Sequence, residues 1–93
     1  MPLHNEILQL LFEHAEKPMD YVAVFMFLNT GTMGHYQERY SDDEIRTALS
    51  DLLLQGHIRA WDDETGATCS AVQWGAVPCR IALTPEGQSA LLA

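Results

Sequence analysis

Ser41-Asp42-Asp43-Glu44-Ile45-Arg46-Thr47-Ala48-Leu49-Ser50-Asp51-Leu52-Leu53-Leu54-Gln55-Gly56-His57-Ile58 is the stretch on which the fold turns. Ser41 and Glu44 have the spacing of a capping box, in which the serine oxygen takes the Glu44 amide and the glutamate reaches back to the Ser41 amide. Asp42, Asp43 and Glu44 place negative charge where the helix dipole is positive. Ile45, Ala48, Leu49, Leu52 and Leu53 then recur at the three-and-four spacing of one helical face. Gly56 is the natural residue just past the end. The pattern predicts a helix from about Asp42 to Gln55.

Downstream the period changes. His57 to Trp61 alternates like a half-buried strand and runs into the turn cluster Asp62-Asp63-Glu64-Thr65-Gly66. Ala67 to Trp74 is weakly extended, and Gly75 interrupts it. Val77 to Leu83 alternates again, with Cys79, Ile81 and Leu83 on one side and Arg80 and Ala82 on the other. Between Trp61 and Cys79 one long arm and two consecutive hairpins are both open. Thr84-Pro85-Glu86-Gly87 predicts a short last helix, with Thr84 as N-cap and Pro85 as first residue. Ala90, Leu91 and Leu92 are expected to return to the core.

Upstream, Leu3 to Glu16 carries Leu3, Ile7, Leu8, Leu10, Leu11, Phe12 and Ala15 against Asn5, Glu6, Gln9, Glu13 and Glu16, which predicts an amphipathic helix. Pro18 fits its end. Tyr21-Val22-Ala23-Val24-Phe25-Met26-Phe27-Leu28 is apolar all round, so periodicity does not separate a buried helix from a buried strand. Its β-branched and aromatic residues favour a strand. Asp20 as a cap and the short connection from the first helix favour a helix. Asn29 to Tyr40 reads as a loop made pliable by Gly31 and Gly34, with room for one helical turn near its end.

The run Ile45-x-x-Ala48-Leu49-x-x-Leu52-Leu53-x-x-Gly56-x-Ile58 resembles the third helix and first wing strand of winged helix-turn-helix domains. The ending Ile81-Ala82-Leu83-Thr84-Pro85-Glu86-Gly87-x-x-Ala90-Leu91 is similar to the second wing strand and closing helix of many bacterial winged-helix regulators. The two matches cover the chain from Asp42 onward; the N-terminal half matches in element order alone. The resemblance implies a mainly α fold with a small antiparallel β-sheet (α+β): a three-helix body, a β wing and a short C-terminal helix, in a single domain over residues 1–93. It makes residues 21–28 a helix. It carries over no catalytic residue, since the family shares none. The link from Leu28 to Ser41 is far longer than the roughly 3–4-residue turn of a helix-turn-helix, which alters how the third helix meets a groove.

Composition narrows the function. The chain has 93 residues, with 13 acidic and 5 basic side chains and a formal charge of −8. A domain this small buries roughly two-thirds of its unfolded surface, which leaves little room for a deep substrate cavity. No motif brings a nucleophile, a base and an oxyanion donor together, so an enzyme is the least favoured class. No metal is expected: His35, His57, Cys69 and Cys79 lack the tight spacing of structural zinc ligands. No cofactor motif is present, and Gly31 and Gly34 do not form a phosphate loop. Residues 21–28 are the longest apolar run and fall short of the roughly 18 residues of a membrane span. The first residues do not read as a secretory leader, so the expected compartment is cytoplasmic. Cys69 and Cys79 flank Trp74 symmetrically, and a hairpin turning there would allow a disulfide. A cytoplasmic chain would keep them reduced.

Two functional readings follow. The first is a protein-interaction module, in transcription regulation by the resemblance, that binds a protein partner or a second copy as a homodimer. Its contact residues would be Tyr21, Phe25, Met26 and Phe27 on the all-apolar segment and Trp61 and Trp74 on the wing, aromatic anchors of the kind interfaces use. Packing of the same residues in the core is an equal alternative. The second reading is a sequence-specific DNA-binding regulator, with Arg46, Thr47, Ser50, Arg59 and Arg80 as contacts. Charge disfavours it: Asp42, Asp43, Glu44 and Asp51 oppose only Arg46 in the helix that would enter the groove, and affinity for DNA rests on neutralising phosphates.

Overall fold

The computed structural model describes residues 2–30, 36–69 and 79–92. Its elements run α1 (Pro2–Glu13), α2 (Tyr21–Leu28), α3 (Asp42–Leu54), β1 (Ile58–Asp62), β2 (Cys79–Leu83) and α4 (Pro85–Leu92). The fold is mixed α+β, with the strands in one antiparallel pair.

The capping box at the start of α3 is formed. Ser41 Oγ accepts from Glu44 N at 3.2 Å, and Glu44 Oε1 accepts from Ser41 N at 3.1 Å. The Ile45, Ala48, Leu49 and Leu52 face is buried. Gly56 ends the helix at φ +76°, a left-handed conformation that a side chain would disfavour. The chain then enters β1, which pairs with β2 in the register Ile58–Leu83, Ala60–Ile81 and Asp62–Cys79. Because strand side chains alternate, Ile58, Ala60, Cys79 and Ile81 all face the core and are buried. Met19 extends the ribbon outside β2: its N–H donates to Ile81 O at 3.1 Å and its carbonyl accepts from Ile81 N at 2.7 Å. Thr68 makes an isolated bridge to Trp61.

The core is completed by Ile7, Leu8 and Leu11 of α1 and by Tyr21, Val24 and Leu28 of α2. The all-apolar segment is therefore a helix and not a strand. Asp20 caps it by accepting from Ala23 N at 2.7 Å. α4 starts on Thr84, whose Oγ1 accepts from Gly87 N at 3.0 Å and donates to Gly56 O at 2.6 Å.

Several expectations need correction. α1 ends at Glu13, not Glu16, because residues 14–17 tighten into turns (Ala15 N to Phe12 O, Lys17 N to His14 O) ahead of Pro18. Ala15 is exposed and Phe12 is partly so, at 37%. β2 begins at Cys79; Val77 lies outside the described residues. Of the closing residues only Leu91 packs on the core, whereas Ala90 and Leu92 are exposed. In this eight-residue helix Gly87 and Leu91, four apart, lie on the side that meets the body, and Ala90 and Leu92 flank that side. Cys69 and Cys79, expected as packed thiols, are both 1% exposed and joined in a disulfide. The bond is reached because Cys69 N donates to Ala60 O at 3.0 Å, which folds residues 67–69 back along β1 and leaves the two Cα atoms 6.5 Å apart. The arm around Trp74, residues 70–78, lies outside the described residues.

Candidate interaction surface

α2 has eight residues, none of them charged, and its one polar group is the Tyr21 hydroxyl. At 100° per residue, burial of Tyr21, Val24 and Leu28 fixes which side faces inward. The opposite arc is Val22, Ala23, Met26 and Phe27. Val22 is 61% exposed, Met26 44% and Phe27 53%. Phe25 sits at the margin, half-buried, with its ring 6.4 Å from Tyr36 and nearly parallel to it. The His14 ring lies 5.1 Å from that of Phe27.

The expected contact residues thus divide. Met26 and Phe27 face solvent and Phe25 does so in part. Tyr21 does not: it is buried, and its hydroxyl donates to the Asp42 carboxylate. Burial, then Asp42, raises the Tyr21 phenol above its ordinary value, whereas the Tyr21 hydroxyl, followed by Arg46, holds Asp42 below its own. Arg46 closes this cluster, bonding Asp42 at 2.8 Å and covering the Tyr21 ring at 4.6 Å. Val22 was not singled out by sequence reading. Its signal was the helical wheel, which becomes usable only once Val24 and Leu28 are known to point inward.

Trp61 is half-buried on β1, with the Arg59 guanidinium 4.6 Å over its ring. Residues two apart on a strand share a face, and so do direct cross-strand partners, so Arg59, Trp61 and its partner Arg80 lie on the outer face of the ribbon. Arg80 bonds Asp63 at 3.4 Å. On α3, Thr47 is exposed, and Ser50 Oγ donates to the Arg46 carbonyl at 2.8 Å. The structure therefore gathers Arg59 and Arg80 on the ribbon, places Arg46, Thr47 and Ser50 on the helix, and occupies each of the three arginines with a neighbour in the chain.

Beside the α2 arc an open cleft of about 340 Å³ is lined by His14, Lys17, Asp20, Ala23, Phe27 and Arg80, among others. With Arg80 held by Asp63 and Lys17 set against Asp20, cations and carboxylates balance on this flank of an acidic chain.

No family model, curated protein or solved structure matches this chain. Function has to be read from the surface itself. Among the described residues no group of His, Cys, Asp and Glu is arranged to hold a metal ion. No helix there is long and apolar enough to cross a membrane.

Proposed function

We propose that the chain is a winged-helix protein-interaction module that self-associates through the outward arc of α2. The observation that carries this reading is a helix with no polar group on its outward side that turns Val22, Met26 and Phe27 to solvent. Contiguous exposed apolar side chains mark interfaces more often than they mark idle surface. The order of three helices, two strands and a helix supports the winged-helix assignment.

Charge permits a second copy as the occupant at this face alone. Two chains of −8 repel each other over most orientations. α2 has no charge of its own, and Lys17 and Arg80 flank it. Two copies meeting there bury apolar surface where the flanking carboxylates, Asp20 and Asp63, are matched by Lys17 and Arg80. Specific interfaces cover roughly 800 Å² per partner, so Phe25 with Tyr36 must extend the arc.

Sedimentation equilibrium on the purified chain tests this. A monomer–dimer equilibrium is expected, tightening as salt screens the overall repulsion, and lost in Val22→Gln/Met26→Gln with the circular dichroism spectrum unchanged. A chain that stays monomeric up to about 0.5 mM, weaker than any useful affinity for a dimer, would rule self-association out.

The second reading is DNA binding. One observation favours it: Arg59, Trp61 and Arg80 share the outer face of the ribbon. It requires duplex DNA to bind at low salt with a steep salt dependence, and Arg46→Ala or Arg59→Ala to weaken it. Cytoplasmic residence belongs to the same proposal and is in tension with the Cys69–Cys79 bond, since a reducing compartment would hold these residues as thiols.

A further inference from the structure

α3 has two flanks. Asp42 and Arg46 meet α2 through Tyr21, while Glu44, Ala48 and Asp51 turn the other way, towards α1. Along that second seam lies a cleft of about 580 Å³ lined by Leu3, His4, Tyr40, Asp43, Glu44, Thr47, Ala48 and Asp51. A smaller one of about 260 Å³ continues past His4 and Asp51 towards Leu8, Leu52 and His57. The two share the His4–Asp51 pair, whose Nε2 and Oδ2 are 3.1 Å apart, so a single groove follows the seam with this pair as its sill.

Leu3, Ala48 and the Tyr40 ring give the larger cleft apolar walls. Its rim carries the Asp43, Glu44 and Asp51 carboxylates, and neither cleft is lined by a lysine or an arginine among the described residues. Arg39, next to Tyr40, is paired with Glu6 at 2.8 Å and lies over the Tyr40 ring at 5.1 Å, and Arg46 is paired with Asp42. The helix dipole offsets part of the charge at Asp43 and Glu44, in the first turn of α3. It does not reach Asp51, more than two turns further on. On one helix face Asp43, Thr47 and Asp51 follow one another at four-residue steps, about 12 Å end to end at 1.5 Å per residue.

We propose that this groove is a docking site for a lysine-rich amphipathic segment of another protein. The leucines and the aliphatic stems of the lysines would cover Leu3 and Tyr40, and the ammonium groups would meet Asp43, Glu44 and Asp51. Alternate residues of an extended segment are about 7 Å apart, so two to three lysines match the acidic row. The surface is separate from the α2 arc, and its test does not depend on self-association.

Fluorescence anisotropy of a labelled octapeptide of alternating lysine and leucine, with the full chain as titrant, reads the site. Saturable binding is expected, weakening with salt and falling by about tenfold or more in Asp43→Asn/Asp51→Asn. The charge-matched control Asp63→Asn/Glu64→Gln, at the wing turn, is expected to bind like the parent within about twofold. Thr47→Lys introduces a cation at an exposed groove position without removing the His4–Asp51 pair, and should abolish binding where Gln88→Lys on α4 does not. Spermine competing as well as the peptide would mean mere counter-ion attraction to an acidic protein and would overturn the proposal. So would affinity unchanged by Thr47→Lys, or no binding up to about 1 mM.

Discussion

Asn29 has no exposed surface, yet its side chain makes four hydrogen bonds. Its Nδ2 donates to the carbonyls of Phe25 and Tyr40, both at 3.2 Å, and its Oδ1 accepts from Arg39 N at 2.8 Å and Tyr40 N at 2.9 Å. One buried amide thus ends α2 and holds the segment that leads into the α3 cap. In Asn29→Ala two backbone N–H groups lose their acceptor, and urea unfolding is expected to show a loss of roughly 2–4 kcal/mol. At Gly87 the demand is steric: an added Cβ would run into the His57 carbonyl. Gly87→Ala should cost about 1–3 kcal/mol and loosen α4 first, visible as faster amide exchange at Gln88 and Ser89. Asp42 supplies a pH dependence. Its folded pKa is depressed, so its contribution is present above the unfolded value of about 4 and is lost as pH falls through the lower folded value. An acid titration of thermal stability should fall below about pH 4, and less steeply in Asp42→Asn.

α3 was legible from its residues alone because cap, dipole, apolar face and terminal glycine all point one way, the consistency by which a sequence specifies an element. Ser41→Ala should remove about 1 kcal/mol, measured by chemical denaturation, with the helix itself preserved. α2 was not legible in the same way. Eight apolar residues fit a helix or a strand, and neither their type nor their spacing says which side meets the body. Asp20 begins the helix, but the inward face is set by Val24 and Leu28 packing against α1 and the ribbon. The same packing removes Tyr21 from the surface and exposes Val22. Of the proposed contact residues on α2, Met26, Phe27 and, in part, Phe25 are the ones that reach solvent. The groove along α1 and α3 had no sequence signal: Leu3 and Asp51 stand far apart in the chain and are neighbours only because His4 reaches Asp51 across the seam.

At the scale of the whole molecule, the Cys69–Cys79 bond ties the return segment along β1 to the first residue of β2. Closing a loop of this length restricts the unfolded chain, and its removal in Cys69→Ala/Cys79→Ala should lower stability by about 2–3 kcal/mol. Intact mass after thiol alkylation, with and without prior reduction, shows whether the purified chain carries the bond. Composition determined the overall acidity and the absence of a long apolar run, because charge and hydropathy add up without regard to fold. Local pattern determined α3, the two strands and the start of α4, because caps, turns and periodicity act over a few residues. Tertiary structure alone decided which side of α2 meets solvent, that the two cysteines meet, and that carboxylates from α3 border a groove floored by α1. Those are relations between residues far apart in the chain, and only the packing of one core brings such residues together.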